Sequence, residues 1–135
     1  MHRTSGRRLV AGMAMAGVVT MLLLGAAAAV HASSSGSHAT RSERRQAVRK
    51  AKEYLSIEAF SLKGLIAQLK FDGFSNADAT YGAKHSGANW FKEAAKKAKE
   101  YLKIEAFSFS GMVQQLEFDK FTPAQARYGA KAAGL

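Results

Sequence analysis

Apolar residues recur with the spacing of one helical face in successive segments of the chain. In the first segment they stand at i, i+4, i+7 and i+8, as Ala47, Ala51, Tyr54 and Leu55. In the second they stand at i, i+3, i+4 and i+7, as Leu62, Leu65, Ile66 and Leu69. This period is typical of amphipathic α-helices that bury one side. The pattern predicts an all-α protein.

Residues that favour helix starts divide this pattern into three helices. Ser61 follows the first segment, and its hydroxyl is placed to accept a hydrogen bond from a free backbone N–H of the second helix. Ser75 begins a third helix, with Asp78 at the spacing of a capping box. Phe60 and Phe74 directly precede these caps, where each predicts a hydrophobic staple packed into the next helix.

The three-helix pattern occurs twice. Residues 47–84 align with residues 94–131 without a gap, and about 24 of the 38 paired positions are identical. Each unit has only about 40 residues, near the lower limit for folding alone, so we expect the two units to share a surface. The predicted fold is all-α, with two tandem three-helix, helix-turn-helix-like repeats.

Several residues of the repeats are predicted to be buried. The Phe residues of both repeats form a predicted core stripe, at positions 60, 71, 74, 107, 118 and 121. Gly64 and Gly111 sit in the first turn of a helix, which favours either close backbone approach or freedom in the bend. Trp90 has no counterpart in the first repeat and is predicted to pack the two units together. A binding role for Trp90 is the alternative, since Trp is enriched in hot spots.

The region before the repeats has the features of an export signal. Arg3, Arg7 and Arg8 precede an apolar stretch from Leu9 to Val30, and small residues suited to cleavage follow before Ser33. A signal helix that is cleaved is predicted, and an uncleaved membrane anchor is the alternative. The predicted boundaries are a signal peptide at 1–32, a Ser-rich disordered linker at 33–43, repeat 1 at 44–86 and repeat 2 at 87–135.

The residue types present argue against an enzyme. The chain has no Cys, which excludes a disulfide, a thiolate metal site, a catalytic thiol and a lipid-modified Cys within it. It has no Gly-rich phosphate loop and no recognisable nucleophile–base set. The repeated acids, such as Asp72 and Asp119, recur at helical or turn positions, so we predict surface pairing or capping for them. No catalytic residue, metal site or cofactor is predicted.

The positive charge favours anionic or acidic partners. The net charge is +10, and it is +7 after the apolar stretch, because all ten acids and seventeen of the basic residues follow it. A cluster on the first helix of repeat 2, together with Trp90, gives the candidate binding residues, Lys96, Lys97, Lys99 and Lys103. Nucleic acid, anionic lipid, anionic wall polymer and acidic proteins are the partner classes that such a surface selects.

The repeated pattern resembles the host cell surface-exposed lipoprotein family (Ltp), over roughly residues 44–135. The positions that match are Tyr54-Leu55, Phe60-Ser61, Gly64-Leu65-Ile66, Gln68-Leu69, Phe74-Ser75, Ala79, Tyr81, Asn89-Trp90 and Thr122-Pro123. These proteins occur in Gram-positive bacteria and their phages. The resemblance implies three helices per repeat, an extracellular position and a role in superinfection exclusion.

The resemblance also implies a mechanism and a partner. Phage-encoded members block the injection of another phage's DNA by contacting the injection machinery, including the tape measure protein. This chain departs from them because it lacks the Cys that carries the lipid.

The function predicted is an exported protein-interaction module, secreted or at the cell surface. A basic helix-turn-helix nucleic-acid binder, disfavoured by export, and non-specific association with anionic wall polymer are the alternatives. Membrane contact is predicted only through the N-terminal segment, if it stays uncleaved.

Overall fold

A computed structural model describes residues 36–135 of the chain, and these residues form six α-helices and no strand. The helices of repeat 1 are α1 (Gly36–Ile57), α2 (Leu62–Phe71) and α3 (Asn76–Lys84). Those of repeat 2 are α4 (Trp90–Leu102), α5 (Phe109–Phe118) and α6 (Pro123–Ala132). The predicted all-α fold with two three-helix repeats is confirmed.

Within each repeat, the first and third helices pack against each other most closely. The close approach occurs at Gly82 in α3, where an added Cβ would lie 2.7 Å from the backbone carbonyl carbon of Ala47. At Gly129 in α6 it would lie 2.7 Å from the backbone oxygen of Ala94. Real Cβ atoms do not tolerate such distances, so only Gly allows these helices to cross.

Each repeat buries its own hydrophobic core. In repeat 1 the core consists of Ala51, Leu65, Leu69, Ala79 and Ala83, all fully buried. In repeat 2 it consists of Ala94, Ala98, Met112, Leu116, Phe121, Ala126 and Ala130. Small Ala side chains on the first and third helices let the backbones approach, and the larger side chains of the second helix fill the remaining space.

The predicted helix starts are confirmed. Ser61 and Ser108 accept hydrogen bonds from the backbone N–H of Gly64 and Gly111, at 3.0 Å in each case. Thr122 forms a complete capping box with Gln125. Asn89 caps α4 by accepting from two backbone N–H groups. These caps satisfy donors that the first helical turn leaves without a partner.

The first helix begins earlier than predicted. Because α1 starts at Gly36, the prediction of a disordered linker is wrong for residues 36–43, while 33–35 and the signal peptide lie outside the described residues. Ser costs a helix only about 0.5 kcal/mol per residue relative to Ala, so a Ser-rich composition does not prevent helix formation. Directly after this extension, Arg44 holds α1 against α3, since it pairs with Asp78 and lies over the ring of Tyr81.

Two members of the predicted Phe core stripe are not in the core. Phe71 is 87% exposed and Phe118 is 68% exposed, so the prediction is wrong at these two positions. Each stands two residues after a core Leu, which places it about 200° around the helix from the buried face. The other Phe residues of the stripe, at 60, 74, 107 and 121, do pack against the cores.

Gly64 and Gly111 do not provide the predicted close approach between helices. A Cβ at Gly64 would lie 2.9 Å from the hydroxyl oxygen of Ser61, and one at Gly111 would lie 3.1 Å from that of Ser108. These glycines therefore leave room for the capping hydroxyl. The close helix crossing belongs to Gly82 and Gly129 instead.

Candidate interaction surfaces

A hydrogen-bonded triad joins the first two helices of each repeat. In repeat 2, the Tyr101 hydroxyl donates to Asp119 at 2.6 Å and accepts from the side-chain amide of Gln115 at 3.1 Å. In repeat 1, Tyr54, Asp72 and Gln68 form the same triad, at 2.8 and 3.2 Å. Asp72 and Asp119, for which surface pairing or capping is predicted, each accept a side-chain hydrogen bond from Tyr.

The triad of repeat 2 is the more deeply buried, and its acidities differ from the usual ones. Burial raises the pKa of the Tyr101 hydroxyl well above 10.0, and the hydrogen bond to Asp119 raises it further. Burial also raises the pKa of Asp119, although the hydrogen bond from Tyr101 and the charge of Lys97 oppose this. Burial raises the pKa of Tyr54 as well. A buried charge is costly, so each group holds its neutral form over a wider pH range.

The loop between α1 and α2 forms the junction between the repeats. The backbone N–H of Ala59 donates to a carboxylate oxygen of Glu100 at 3.2 Å. The hydroxyl of Ser61 donates to the backbone oxygen of Asp119 at 2.5 Å while it also caps α2. Ala59 and Ser61 are almost fully buried. The expectation that the two repeats share a surface agrees with these contacts.

Two of the predicted binding residues, Lys96 and Lys97, contact this junction. Lys97 is 13% exposed and pairs with Glu58 of repeat 1 and with Glu100 at 3.6 Å. Lys96 pairs with Glu93 at 3.1 Å and reaches the backbone oxygen of Leu55 at 3.5 Å. The positive charge of Lys97 is therefore neutralised within the protein, and Lys96 is partly neutralised.

The other predicted residues have different surroundings. Trp90 is partly buried against the core of repeat 1, which agrees with the predicted packing of the two units. Lys99 is exposed on α4, and Lys103 is exposed at the C-cap of that helix. The structure does not bring the five residues into one site, and a binding role for any of them stays a prediction.

An exposed aromatic pair lies at equivalent positions of the two repeats. Phe71 is the last residue of α2, and Phe118 is the last residue of α5. Sequence reasoning assigned both to the core, although their offset from Leu69 and Leu116 signals the opposite face. We refer to Phe71 and Phe118 as the exposed phenylalanines.

A basic groove lies along α1. It has a volume of about 620 Å³, and its lining includes Tyr81 and four arginines, Arg41, Arg44, Arg45 and Arg49. The guanidinium of Arg44 lies 5.0 Å from the centre of the Tyr81 ring and 3.6 Å from a carboxylate oxygen of Asp78. The ring of His85 stacks on Tyr81 with 3.8 Å between ring centres. We call this feature the arginine groove, and sequence reasoning did not identify it.

The equivalent position of repeat 2 is aromatic. Phe91 occupies the place of Arg44, and Tyr128 that of Tyr81. Their rings meet edge to face, with 5.4 Å between centres, and are 43% and 48% exposed. The two repeats therefore share an interior and differ in what they present to solvent.

The described residues, 36–135, contain neither a cluster of metal ligands nor a membrane-spanning helix. No group of three or more His, Cys, Asp or Glu residues in this part of the chain is arranged to hold a metal ion. Over the same range, no helix has both the length and the apolar character needed to cross a membrane.

Comparisons with known proteins identify the family. The family model Lipoprotein_Ltp, described as host cell surface-exposed lipoprotein, matches residues 42–85 and again residues 89–132. Among solved structures, the chain is similar to Ltp, a superinfection exclusion protein from the Streptococcus thermophilus temperate phage TP-J34. The two share 39% sequence identity with a TM-score of 0.63, over 69% of this chain and 95% of that chain. A comparison with curated proteins gave no match. The predicted resemblance and cell-surface location are confirmed, and the chain belongs to the family of host cell surface-exposed lipoproteins of the Ltp type.

Proposed function

We propose that this protein prevents superinfection at the cell surface by binding a protein of an incoming phage's injection machinery, without catalysis. The observation that carries this proposal is the 39% identity with a superinfection exclusion protein over 95% of that protein's chain. The matched region includes both repeats, which contain the surfaces available for such a contact.

The exposed phenylalanines are the surface that best suits a protein partner. An aromatic ring that is 87% or 68% exposed gains nothing from the core of its own repeat, so it is available for burial by another molecule. Aromatic residues are enriched in protein interfaces, and one buried anchor contributes about 2 kcal/mol or more to binding. Two such anchors at equivalent positions of a tandem repeat allow two contacts with one extended partner.

The test is a plaque assay on cells that express the protein, with the Phe71→Ala/Phe118→Ala double variant beside the original. We expect the original to lower plaque formation while phage adsorption stays normal and phage DNA fails to reach the cytoplasm. The double variant is expected to lose most of this protection, because loss of a binding anchor weakens binding about 30-fold.

The matched control is the Ile57→Ala/Ile104→Ala double variant. Ile57 and Ile104 are also apolar, 59% and 70% exposed, and equivalent between the repeats. We expect this variant to protect as well as the original. Full protection by the double Phe variant, at equal surface amount and equal helix content, would disprove the contact. Normal plaque formation on cells carrying the original protein, across a broad phage panel, would disprove the function.

A further inference from the structure

We propose that the arginine groove binds a linear polyol-phosphate polymer of the cell envelope. This inference goes beyond the protein partner proposed above, because it concerns a second ligand and a different face of the molecule. It would keep the protein at the envelope, where the exposed phenylalanines would act.

The spacing of the arginines suits a linear chain of phosphates. Arg41, Arg45 and Arg49 are four residues apart, so they share one face of α1 and follow one another at about 6 Å along its axis. A phosphodiester polymer presents negative charges at regular intervals along its own length. Each guanidinium offers a planar set of donors that bonds two phosphate oxygens at once.

Within the described residues, no acid neutralises three of the four arginines of the groove. Among the described residues, the ion pairs on α1 are those of Arg44 with Asp78 and of Lys50 with Glu53. No acid of that part of the chain lies within ion-pair distance of Arg41, Arg45 or Arg49, and all three are exposed. Arg44 is fixed by Asp78 and Tyr81, which gives the groove one arginine that needs no further ordering on binding.

The surroundings of Tyr81 favour this polymer over nucleic acid. Proteins that hold single-stranded nucleic acid stack the bases on aromatic side chains. The Tyr81 ring is already occupied by the ring of His85 at 3.8 Å and by the guanidinium of Arg44 at 5.0 Å. A polymer whose phosphates are joined by small polyols needs no such platform. The concave shape of the groove also suits a chain better than the flat surface of a bilayer.

The groove is specific to repeat 1. Ala88 and Phe91 stand in repeat 2 where repeat 1 has Arg41 and Arg44. Lys96 stands in the place of Arg49 but pairs with Glu93 at 3.1 Å. The arrangement is therefore not a consequence of the repeat fold, and exposed charge elsewhere on repeat 2 offers a matched comparison.

The experiment measures binding of a fluorescently labelled poly(glycerol phosphate) chain by anisotropy, at several salt concentrations. It compares protein purified from cells expressing the full chain with the triple variant Arg41→Gln, Arg45→Gln, Arg49→Gln. Arg44 is kept because it contacts α3. The matched control in repeat 2 is Lys92→Gln, Arg127→Gln, Lys131→Gln, which removes the same charge from exposed positions of α4 and α6.

We expect the groove variant to bind about tenfold or more weakly at moderate salt, with a log–log salt slope smaller by about 2, as for three lost phosphate contacts. Arg45→Gln alone should lose about a third of that slope change. The repeat 2 control should bind within about threefold of the original. The Phe71→Ala/Phe118→Ala variant should bind the polymer normally, so failure of this proposal and failure of the proposed function are distinguishable.

Three results would overturn the proposal. Equal losses in the groove variant and the repeat 2 control would show attraction by net charge alone. Stronger competition by single-stranded DNA with the same number of phosphates would identify nucleic acid as the preferred ligand. The third result is stronger binding to vesicles of phosphatidylglycerol and phosphatidylcholine than to the polymer. If that binding depends on the same arginines, it would identify the membrane surface as the preferred ligand.

Discussion

The same five-residue loop occurs in both repeats, and the two copies have different surroundings. Residues 57–61 and residues 104–108 both read Ile-Glu-Ala-Phe-Ser. In repeat 1 this loop packs against α4 and the end of α5 through Ala59 and Ser61, which are 1% and 2% exposed. In repeat 2, Ala106 and Ser108 are exposed. Identical sequence thus gives a junction in one place and a free surface in the other.

The difference arises from the neighbours that each loop meets in space. The loop of repeat 1 meets Glu100 and Lys97, which repeat 2 provides. Among the described residues, there is no third repeat to provide the same groups to the loop of repeat 2. In this tandem duplication, the position of each copy therefore decides which contacts its residues make. The energetic cost of a substitution should differ between the copies only where the junction is involved.

The largest effect is expected where the two repeats are alike. Gly82→Ala and Gly129→Ala should each lower the free energy of unfolding by about 3 kcal/mol, because the new Cβ would overlap the backbone of the facing helix. Urea denaturation measures this, with the exposed Ala77→Ser as a control that should stay within about 0.5 kcal/mol. A loss below that level at either Gly would contradict the shared helix crossing.

A smaller effect should separate the two repeats. Lys97→Met should cost about 2 kcal/mol, because it leaves the largely buried Glu58 without its partner. The equivalent Lys50→Met should cost less than about 0.5 kcal/mol, because the ion pair of Lys50 among the described residues is with the exposed Glu53 of its own helix. Adding Glu58→Gln to Lys97→Met should recover part of the loss. Equal costs for the two Lys variants would mean that the junction contributes no stability.

The sequence was sufficient to predict features that depend on local spacing. Helical periodicity, caps such as Ser61 and Thr122, and the duplication are properties of neighbouring residues along one chain. They also carry the family resemblance, which the comparisons confirm.

Features that depend on how helices meet were not predicted. Periodicity marks a buried face but not the residue at which two helices cross, so close approach was one of two roles predicted for Gly64 and was not predicted for Gly82. Lys97 was predicted to bind a partner. Its actual partner is Glu58, which lies 39 residues away in sequence, so the local pattern does not reveal the pair. The arginine groove forms because α1 and α3 lie side by side, which places Tyr81 beside Arg44.

The helix caps Ser61 and Ser108 differ by one hydrogen bond, so the two variants compare the repeats directly. Ser108→Ala should cost about 1 kcal/mol, as expected for a lost helix cap. Ser61→Ala should cost about 2 kcal/mol, because it also leaves the backbone oxygen of Asp119 without its 2.5 Å hydrogen bond. Thermal or urea unfolding of the two variants measures the difference. Equal losses would show that the bond to Asp119 adds nothing to the cap.

The smallest effect concerns the Tyr–Asp–Gln triads and is revealed by alkaline pH. Tyr101→Phe should cost about 1 kcal/mol at neutral pH and Tyr54→Phe about half of that, because the triad of repeat 1 is more exposed.

The pKa of Tyr101 is raised on folding, so the folded protein keeps a proton that the unfolded chain loses above pH 10.0. Stability from this group is therefore full below pH 10.0 and falls as the pH rises above it. Denaturation between neutral pH and pH 11 should show a steeper decline for the original protein than for Tyr101→Phe, with Tyr54→Phe in between, since burial raises the pKa of Tyr54 as well. Parallel declines in all three proteins would mean that the Tyr101 hydroxyl is not held in its neutral form by burial and by Asp119.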